Sequence, residues 1–166
     1  MSEYNWDQFT KRITIKASAQ DVYKAWATQS GLESWFLRKA VFTDISKRQR
    51  DPNSFVQPGD IYEWTWFGYP DTVHEHHTII EANGNDHLKF RFSGGCIVTV
   101  TIKNENNELI CELAQDMKPA EESKRQMFFI ECSKGWVFYM TNLKSILEGG
   151  IDLRNKNEAI QSVINA

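Results

Sequence analysis

The sequence predicts an α+β fold in which a curved antiparallel sheet wraps around one long helix near the carboxyl end of the chain. Apolar residues recur in steps of three and four from about residue 121 to residue 150, which places them on one side of a helix. One early segment and six later ones read as strands, with turn-forming residues between them. The 166 residues, 41% of them hydrophobic, suffice for one well-filled core, so we expect a single domain over residues 1–166.

The first predicted elements are a strand and two short helices. Residues 9–17 mostly alternate apolar with polar side chains, a pattern typical of a strand with one wet face. The segment Ser18 to Asp21 has the form of a capping box that begins a helix. We expect this helix to break at residues 28–31 and a shorter helix to end at Trp35-Phe36, an aromatic pair interpreted as a plug of the core rather than a site.

The middle of the chain is predicted to form antiparallel strands joined by hairpins. A short strand over residues 40–44 precedes a polar loop over residues 45–59. Further strands are expected over residues 61–67, 73–82, 88–92, 97–103 and 109–117. Because side chains alternate between the two faces of a strand, each of these strands has one face that turns to the interior.

The long helix is expected to be too apolar to lie on one flat surface. Residues beside the stripe centred on Trp136, among them Val137, widen the apolar face to about half of the circumference, so we expect the sheet to wrap it. Gly149 and Gly150 predict the end of the helix. The tail over residues 151–166 carries apolar residues at helical spacing and is either a short docked helix or a frayed end.

Four segments of the chain carry a resemblance to a known superfamily. They are ITIKASAQDVYKAWAT at residues 13–28, LESWF at 32–36, PGDIYEWTW at 58–66 and GWVFYMTNLKSILEGGIDLR at 135–154. Together they resemble the START-type helix-grip (SRPBCC) superfamily and, within it, the family homologous to the activator of heat-shock-protein ATPase. The resemblance implies a helix-grip fold, in which a curved sheet holds the C-terminal helix and two short helices follow the first strand. The superfamily includes lipid carriers, hormone receptors, cyclases and hydroxylase domains, so the activity stays open.

The sequence departs from the pattern of that family in a long polar segment over residues 45–57 and in a His-rich segment. In the latter, His74 and His76 share a face of a predicted strand, where they could act as acid and base or as two zinc ligands. Glu75 and His77 point to the opposite face, so neither completes a metal site locally. The alternatives are a solvent-facing pair and a polar patch inside a cavity. We assign no catalytic residue, no metal site and no cofactor.

Composition and motifs argue against several classes of protein. The net charge of −3, with no basic run joined to exposed aromatic residues, argues against nucleic-acid binding. No apolar run approaches the roughly 18 to 20 residues of a membrane span. The chain has an odd number of cysteines, namely Cys96, Cys111 and Cys132, and it starts without an apolar signal segment. We therefore expect these cysteines to be buried thiols of a protein in the reducing cytoplasm. The nucleophile-elbow, phosphate-loop and dinucleotide motifs are absent.

A curved sheet and the helix that it grips separate towards one end, and the gap is expected to form an apolar cavity with few polar groups. Such a cavity predicts binding of a hydrophobic small molecule, for example a lipid, a polyketide or an aromatic metabolite. The residues expected to bind it are Tyr62, Trp64, Trp66, Phe90, Phe92, Gln115, Trp136, Tyr139 and Met140. Two alternatives stand beside this function. One is a co-chaperone-like module that regulates a heat-shock ATPase in the stress response, as the family name implies; the other is a cyclase-like or hydrolase-like enzyme that uses the cavity.

Overall fold

A computed structural model describes residues 4–160 and 163–165 of the chain, which form seven strands, three α-helices and one turn of 3-10 helix. The strands are β1 (Gln8–Thr14), β2 (Lys39–Thr43), β3 (Ile61–Thr65), β4 (Glu75–Ala82), β5 (His87–Arg91), β6 (Ile97–Glu105) and β7 (Glu108–Asp116). The helices are α1 (Ala19–Ala27), α2 (Gln29–Trp35) and α3 (Glu122–Leu147), and the 3-10 turn spans Ser93–Gly95. Each predicted strand and each of the three predicted helices is present.

The strands form one antiparallel sheet in the order β1-β7-β6-β5-β4-β3-β2. Because β1 pairs with β7 and β2 pairs with β3, the first two strands lie at opposite edges, and α1 and α2 carry the chain from one edge to the other. The register of β4 against β5 shifts between Ile79 and Glu81, an irregularity that bends a strand. The result is the α+β helix-grip fold, with a curved sheet around the long C-terminal helix.

The inner face of the sheet carries the apolar residues that the alternation predicted. Leu88 pairs with Val100 and Phe90 pairs with Val98, and all four side chains are buried. On the neighbouring strand, Leu113 pairs with Val100 and is also buried. Full burial of such a side chain contributes about 1.5–3 kcal/mol before the entropy of ordering is subtracted, so this face needs the covering layer of helices.

Two hydroxyl side chains determine where the short helices begin. Ser18 Oγ accepts a 3.0 Å hydrogen bond from the Asp21 amide, which confirms the capping box at the start of α1. Thr28 Oγ1 accepts a 2.9 Å hydrogen bond from the Gly31 amide and caps α2 in the same way. The predicted break over residues 28–31 is therefore wrong in extent, because the single capping residue Thr28 separates the two helices.

The long helix α3 is only partly covered. Trp136 and Leu143 are buried on its inner side, but Met127, Ile130 and Val137 are 53%, 47% and 52% exposed. The expectation that the sheet wraps the whole apolar half of the helix is wrong for Val137, because the sheet and the short helices reach only one side of α3. Within the described residues, no helix is both long and apolar enough to cross a membrane.

Residues 151–154, here called the C-terminal strap, tie α3 to the end of α2. Asn142 of α3 is fully buried; its amide donates to the Trp35 carbonyl and its oxygen accepts from the Leu153 amide, both at 2.7 Å. Arg154 is 6% exposed and donates to three backbone carbonyls, those of Glu33, Ser34 and Leu37. The strap therefore satisfies carbonyl groups that the end of α2 leaves free.

The alternative of a short docked helix is wrong for the described residues of the tail. Residues 151–160 and 163–165 contain no helix, and residues 161, 162 and 166 of the predicted tail lie outside the described residues. Asn165 is buried and forms two hydrogen bonds with the backbone of Asn155. Its side-chain oxygen accepts from the Asn155 backbone amide at 2.6 Å, and its side-chain nitrogen donates to the Asn155 backbone carbonyl at 2.8 Å. These two asparagines hold the described parts of the tail to each other through side-chain hydrogen bonds.

Candidate functional site

A cavity of about 500 Å³ lies between α3 and the end of the sheet at which β3 ends, β4 begins and β5 ends. One wall belongs to α3 and consists of residues spaced three or four apart, which share a face of the helix. They are Phe128, Glu131, Cys132, Gly135, Trp136 and Tyr139. Gly135 lies in the middle of this wall and contributes no side chain to it.

The opposite wall consists of residues at the ends of secondary-structure elements. Trp66 follows β3, Glu75 begins β4, and Phe92 and Ser93 follow β5, while Phe36 ends α2. When two consecutive strands pair in an antiparallel sheet, the last residue of the first strand and the first residue of the second lie at the same end of the strands. Residues that are distant in the sequence therefore meet in this wall.

The mouth of the cavity is formed by Tyr69, Val73 and Met127, whose side chains are 48%, 46% and 53% exposed. The deeper lining residues Phe36 and Trp136 are only 2% exposed. A ligand would therefore enter between the loop after β3 and the amino-terminal half of α3 and would meet an aromatic interior.

The nine residues predicted to bind a ligand fall into two groups. Trp66, Phe92, Trp136 and Tyr139 line the cavity. The other five, Tyr62, Trp64, Phe90, Gln115 and Met140, are 0–3% exposed and lie in the core behind the lining residues. The cavity is therefore displaced from the middle of the sheet towards its end.

Close ring packing fills the middle of the sheet. The rings of Tyr62 and Trp64 stack with centroids 3.8 Å apart, and Phe90 meets Trp64 edge-on at 5.3 Å. The Tyr62 hydroxyl donates to the Arg91 carbonyl and so lies at a polar group of the sheet. Burial raises the pKa of Tyr62 well above its usual range, and the Glu75 charge adds to the rise, so this phenol stays protonated.

Gln115 connects the core to the cavity wall. Its oxygen accepts a 2.6 Å hydrogen bond from the indole nitrogen of Trp136, and its amide nitrogen is next to the thiols of Cys96 and Cys132. Burial raises the pKa of Cys132 to about 11, although the Gln115 amide favours the thiolate. The thiol that faces the cavity is therefore a weak nucleophile at neutral pH.

A polar cluster in the wall is centred on Glu75. Ser93 Oγ donates to one carboxylate oxygen of Glu75, and His77 Nε2 contacts the other at 2.8 Å. His74 and His76 are exposed, so the histidine pair singled out in the sequence faces solvent and the alternative of a polar patch is wrong for that pair. The inward positions of β4 are instead Glu75, His77 and the buried Ile79. Among the described residues, no group of three potential ligands could hold a metal ion.

Ten of the fourteen lining residues are not among those predicted from the sequence, and three of the ten show why. Glu75 would have been assigned to the inner face had the apolar Ile79, four residues later, been used to set the register of β4. Phe36 was interpreted as core beside the fully buried Trp35, yet its other side lines the cavity. No signal in the sequence marks Ser93, because its position depends on the turn that follows β5.

Gly94 in that turn determines where Phe128 lies. Gly94 has φ +67°, a conformation that favours glycine, and a Cβ at this position would overlap the Phe128 ring. The close approach lets the ring cover the turn and form the wall of the cavity next to Ser93. The turn after β5 therefore also shapes the cavity.

Comparison with known families identifies the chain. The family model described as Activator of Hsp90 ATPase homolog 1-like protein matches residues 16–148. The protein belongs to this family. The match includes every strand except β1, all three helices and every residue that lines the cavity. No curated protein matches this chain at a significant level.

Solved structures share the fold of this family member at low sequence identity. Protein SSP2350 from Staphylococcus saprophyticus is 12% identical with a TM-score of 0.66, over 89% of this chain and 96% of that one. The Aha1 dimer from Colwellia psychrerythraea is 18% identical with a TM-score of 0.64, over 86% and 97%. DynU16, a protein in the dynemicin biosynthetic locus, is 17% identical with a TM-score of 0.68, over 90% of this chain but 50% of its own. At these identities the likeness concerns the fold alone.

Proposed function

We propose that this protein binds an apolar small molecule, such as a lipid, a polyketide or an aromatic metabolite, in the cavity between α3 and the open end of the sheet. The observation that supports this function is the 500 Å³ cavity itself, which falls within the range of about 300–1,000 Å³ that small-molecule sites occupy. Its lining follows the usual composition of such sites, since half of the lining residues are aromatic and a few polar groups can orient a ligand.

The packing of the core supports a binding role for this cavity. The inner strands are filled by stacked and edge-on rings, whereas the end of the sheet leaves the rings of Trp66, Phe92 and Tyr139 beside empty space. A ligand that packs against these rings would remove apolar surface from water, which contributes about 25 cal/mol per Å² and provides a driving force for binding.

The test is a titration with a library of these compounds followed by nuclear magnetic resonance, together with a variant that blocks the cavity. Gly135→Leu places a side chain in the middle of the α3 wall and should weaken binding about tenfold or more. Val137→Leu, on the exposed side of the same helix, is the matched control and should leave binding unchanged. Native mass spectrometry of the purified protein should in addition reveal a co-purified small molecule.

Two outcomes would count against a binding role. If Gly135→Leu binds ligands as the unaltered protein does, the ligands lie elsewhere. If ligands shift only signals of outer-face and loop residues while Trp66, Phe92 and Trp136 stay unmoved, the cavity is not a site. The protein would then be better explained as a docking module.

A second candidate function is regulation of a heat-shock ATPase by docking, with a role in the stress response. The supporting observation is the apolar strip of Met127, Ile130 and Val137, which lies exposed on α3 of a chain whose family is named for an Hsp90 ATPase activator. Ile130→Asp with Val137→Asp should then abolish stimulation of an Hsp90-type ATPase, whereas Gly135→Leu should not. Either candidate agrees with a location in the cytoplasm, which we propose because the three cysteines are unpaired.

A further inference from the structure

The charged side chains that line the cavity are all acidic. Glu75 and Glu131 belong to the lining, and within residues 4–160 and 163–165 no lysine, arginine or histidine does. Two neighbouring basic groups are already engaged. Lys134 pairs with Glu131 at 2.7 Å on the exposed side of α3, and the Arg154 guanidinium binds Asp152 and backbone carbonyls. A ligand carboxylate or phosphate would therefore meet no free counter-charge in the cavity.

Glu75 is the more strongly buried of the two carboxylates. Its side chain is 22% exposed, against 60% for Glu131, and its partners are the neutral Ser93 hydroxyl and the His77 ring. A carboxylate only accepts hydrogen bonds, so both contacts leave its negative charge in place when the imidazole of His77 is neutral. Because the surroundings are of low dielectric, that charge attracts a cation more strongly than a carboxylate in water does.

Aromatic rings make up half of the lining to which Glu75 belongs. Seven of the fourteen lining residues are aromatic, and the rings of Phe36 and Phe92 lie 5.0 and 5.3 Å from that of Trp136. The face of an aromatic ring carries partial negative charge and attracts a lysine-like or quaternary ammonium group that lies within about 6 Å of its centroid. Rings and carboxylate therefore favour the same sign of ligand charge.

We infer that the ligand of this cavity carries a positive charge, as an apolar amine or quaternary ammonium compound does, and that Glu75 is the residue that selects it. The inference rests on the proposed function, since it names the class of molecule that the same cavity binds. The apolar part of the ligand packs against the rings on the α3 side, and its cationic group lies at the Glu75 carboxylate. Fatty acids and other anions are excluded by the same carboxylate.

The test compares three probes that share a naphthalene ring and differ in charge. They are (2-naphthylmethyl)trimethylammonium, 2-naphthalenemethanol and 2-naphthoate, titrated by calorimetry at pH 8, where histidine side chains are ordinarily neutral. The ammonium probe should bind about tenfold more tightly than the alcohol, and the carboxylate should bind more weakly than the alcohol. Added salt should weaken the binding of the ammonium probe and leave the affinity for the alcohol unchanged.

Two variants assign the selectivity to Glu75. Glu75→Gln keeps the shape and the acceptor for Ser93 and should remove the preference for the ammonium probe while leaving the affinity for the alcohol within about twofold. Glu63→Gln removes the same charge from the exposed face of β3 and should retain the preference. Should Glu75→Gln fail to fold, the order of the three probes on the unaltered protein decides by itself.

The outcomes separate this inference from the proposed function. The first outcome is that the probes bind and that Gly135→Leu weakens their binding. If the three affinities are then equal, or if the naphthoate binds most tightly, the charge selectivity is overturned and the cavity binds a neutral or anionic ligand. A selectivity that survives Glu75→Gln overturns the role of Glu75. Absence of binding by all three probes, or binding that Gly135→Leu does not weaken, overturns both proposals.

Discussion

The indole nitrogen of Trp136 donates a 2.6 Å hydrogen bond to the side-chain oxygen of Gln115, and this bond joins the middle of α3 to the inner face of β7. The same indole lies 5.7 Å from the ring of Trp26 and 5.3 Å from that of Phe92. Trp136 is 2% exposed, as predicted for the centre of the helix stripe. One side chain therefore belongs both to the core and to the wall of the cavity.

Trp136→Ala should destabilise the fold by about 3–5 kcal/mol, because it removes a large buried ring and leaves Gln115 without its donor. Chemical denaturation measures the loss. Trp136→Phe keeps most of the ring contacts and should cost about 1–3 kcal/mol through the unsatisfied Gln115 oxygen alone. The control is Val137→Ala on the exposed side, which should stay within about 0.5 kcal/mol of the unaltered protein. A denaturation midpoint for Trp136→Ala close to that of the unaltered protein would contradict the packing described.

Gly94→Ala should destabilise the protein by about 1–3 kcal/mol, because alanine is strained at φ +67° and its methyl group would displace the Phe128 ring. Displacement of Phe128 should also alter ligand affinity, since this ring lines the cavity. Gly84→Ala is the control that measures the cost of backbone strain alone, because Gly84 has φ +76° but no atom within 4 Å of the position that a Cβ would occupy. Equal losses of stability in the two variants would show that the Phe128 contact contributes nothing.

Cys132 should be the thiol that reports on the cavity. Its pKa, raised to about 11 by burial, predicts slow alkylation at neutral pH and a rate that rises about tenfold per pH unit between pH 7 and pH 10. Cys96 and Cys111 are fully buried, so mass spectrometry of the native protein should detect one modified thiol, and none in Cys132→Ser. A cavity ligand should slow the reaction further. Modification of two thiols at equal rates would be inconsistent with these positions.

Asp152 should make the C-terminal strap sensitive to acid. Burial by itself would raise the Asp152 pKa, but hydrogen bonds from Arg154 and Lys156 and the Arg154 charge lower it well below the ordinary value of 3.8. Because the folded state then binds the proton less readily than the unfolded state, the stabilisation is present above about pH 4 and is lost as the pH falls below that value. Asp152→Asn should flatten this part of the stability curve, whereas Asp51→Asn, at an exposed loop position, should not.

Amide exchange provides an independent measurement of the same strap. The Leu153 amide donates to the buried Asn142 side chain, and the Arg154 amide donates to Asp152 at 3.1 Å. These two amides should exchange far more slowly than that of Lys156 at pH 7 and should lose protection in Asp152→Asn. Fast exchange throughout residues 151–154 would show that the strap is not held as described.

The sequence alone was enough to predict the secondary structure and the fold class, because both depend on local patterns. The stripe around Trp136 marked α3 within a few residues of its ends, and the alternation around Phe90 assigned the inner face of the sheet. The capping residue Ser18 determined the start of α1 through a hydrogen bond across three residues. Spacings of two, three and four residues contain this information, since each reflects the geometry of a single element.

The position of the cavity and the charge of its wall were decided only by the tertiary structure. Sequence patterns could not show that Tyr62 and Trp64 stack and fill the middle of the sheet, which leaves the open space at its end. The contact between Glu75 and Ser93 depends on how the start of β4 packs against the turn after β5. The contact between Arg154 and the end of α2 joins residues that are more than a hundred positions apart in the sequence. Such contacts depend on packing between distant segments, and the periodicity of one segment carries no information about the shape of its partner.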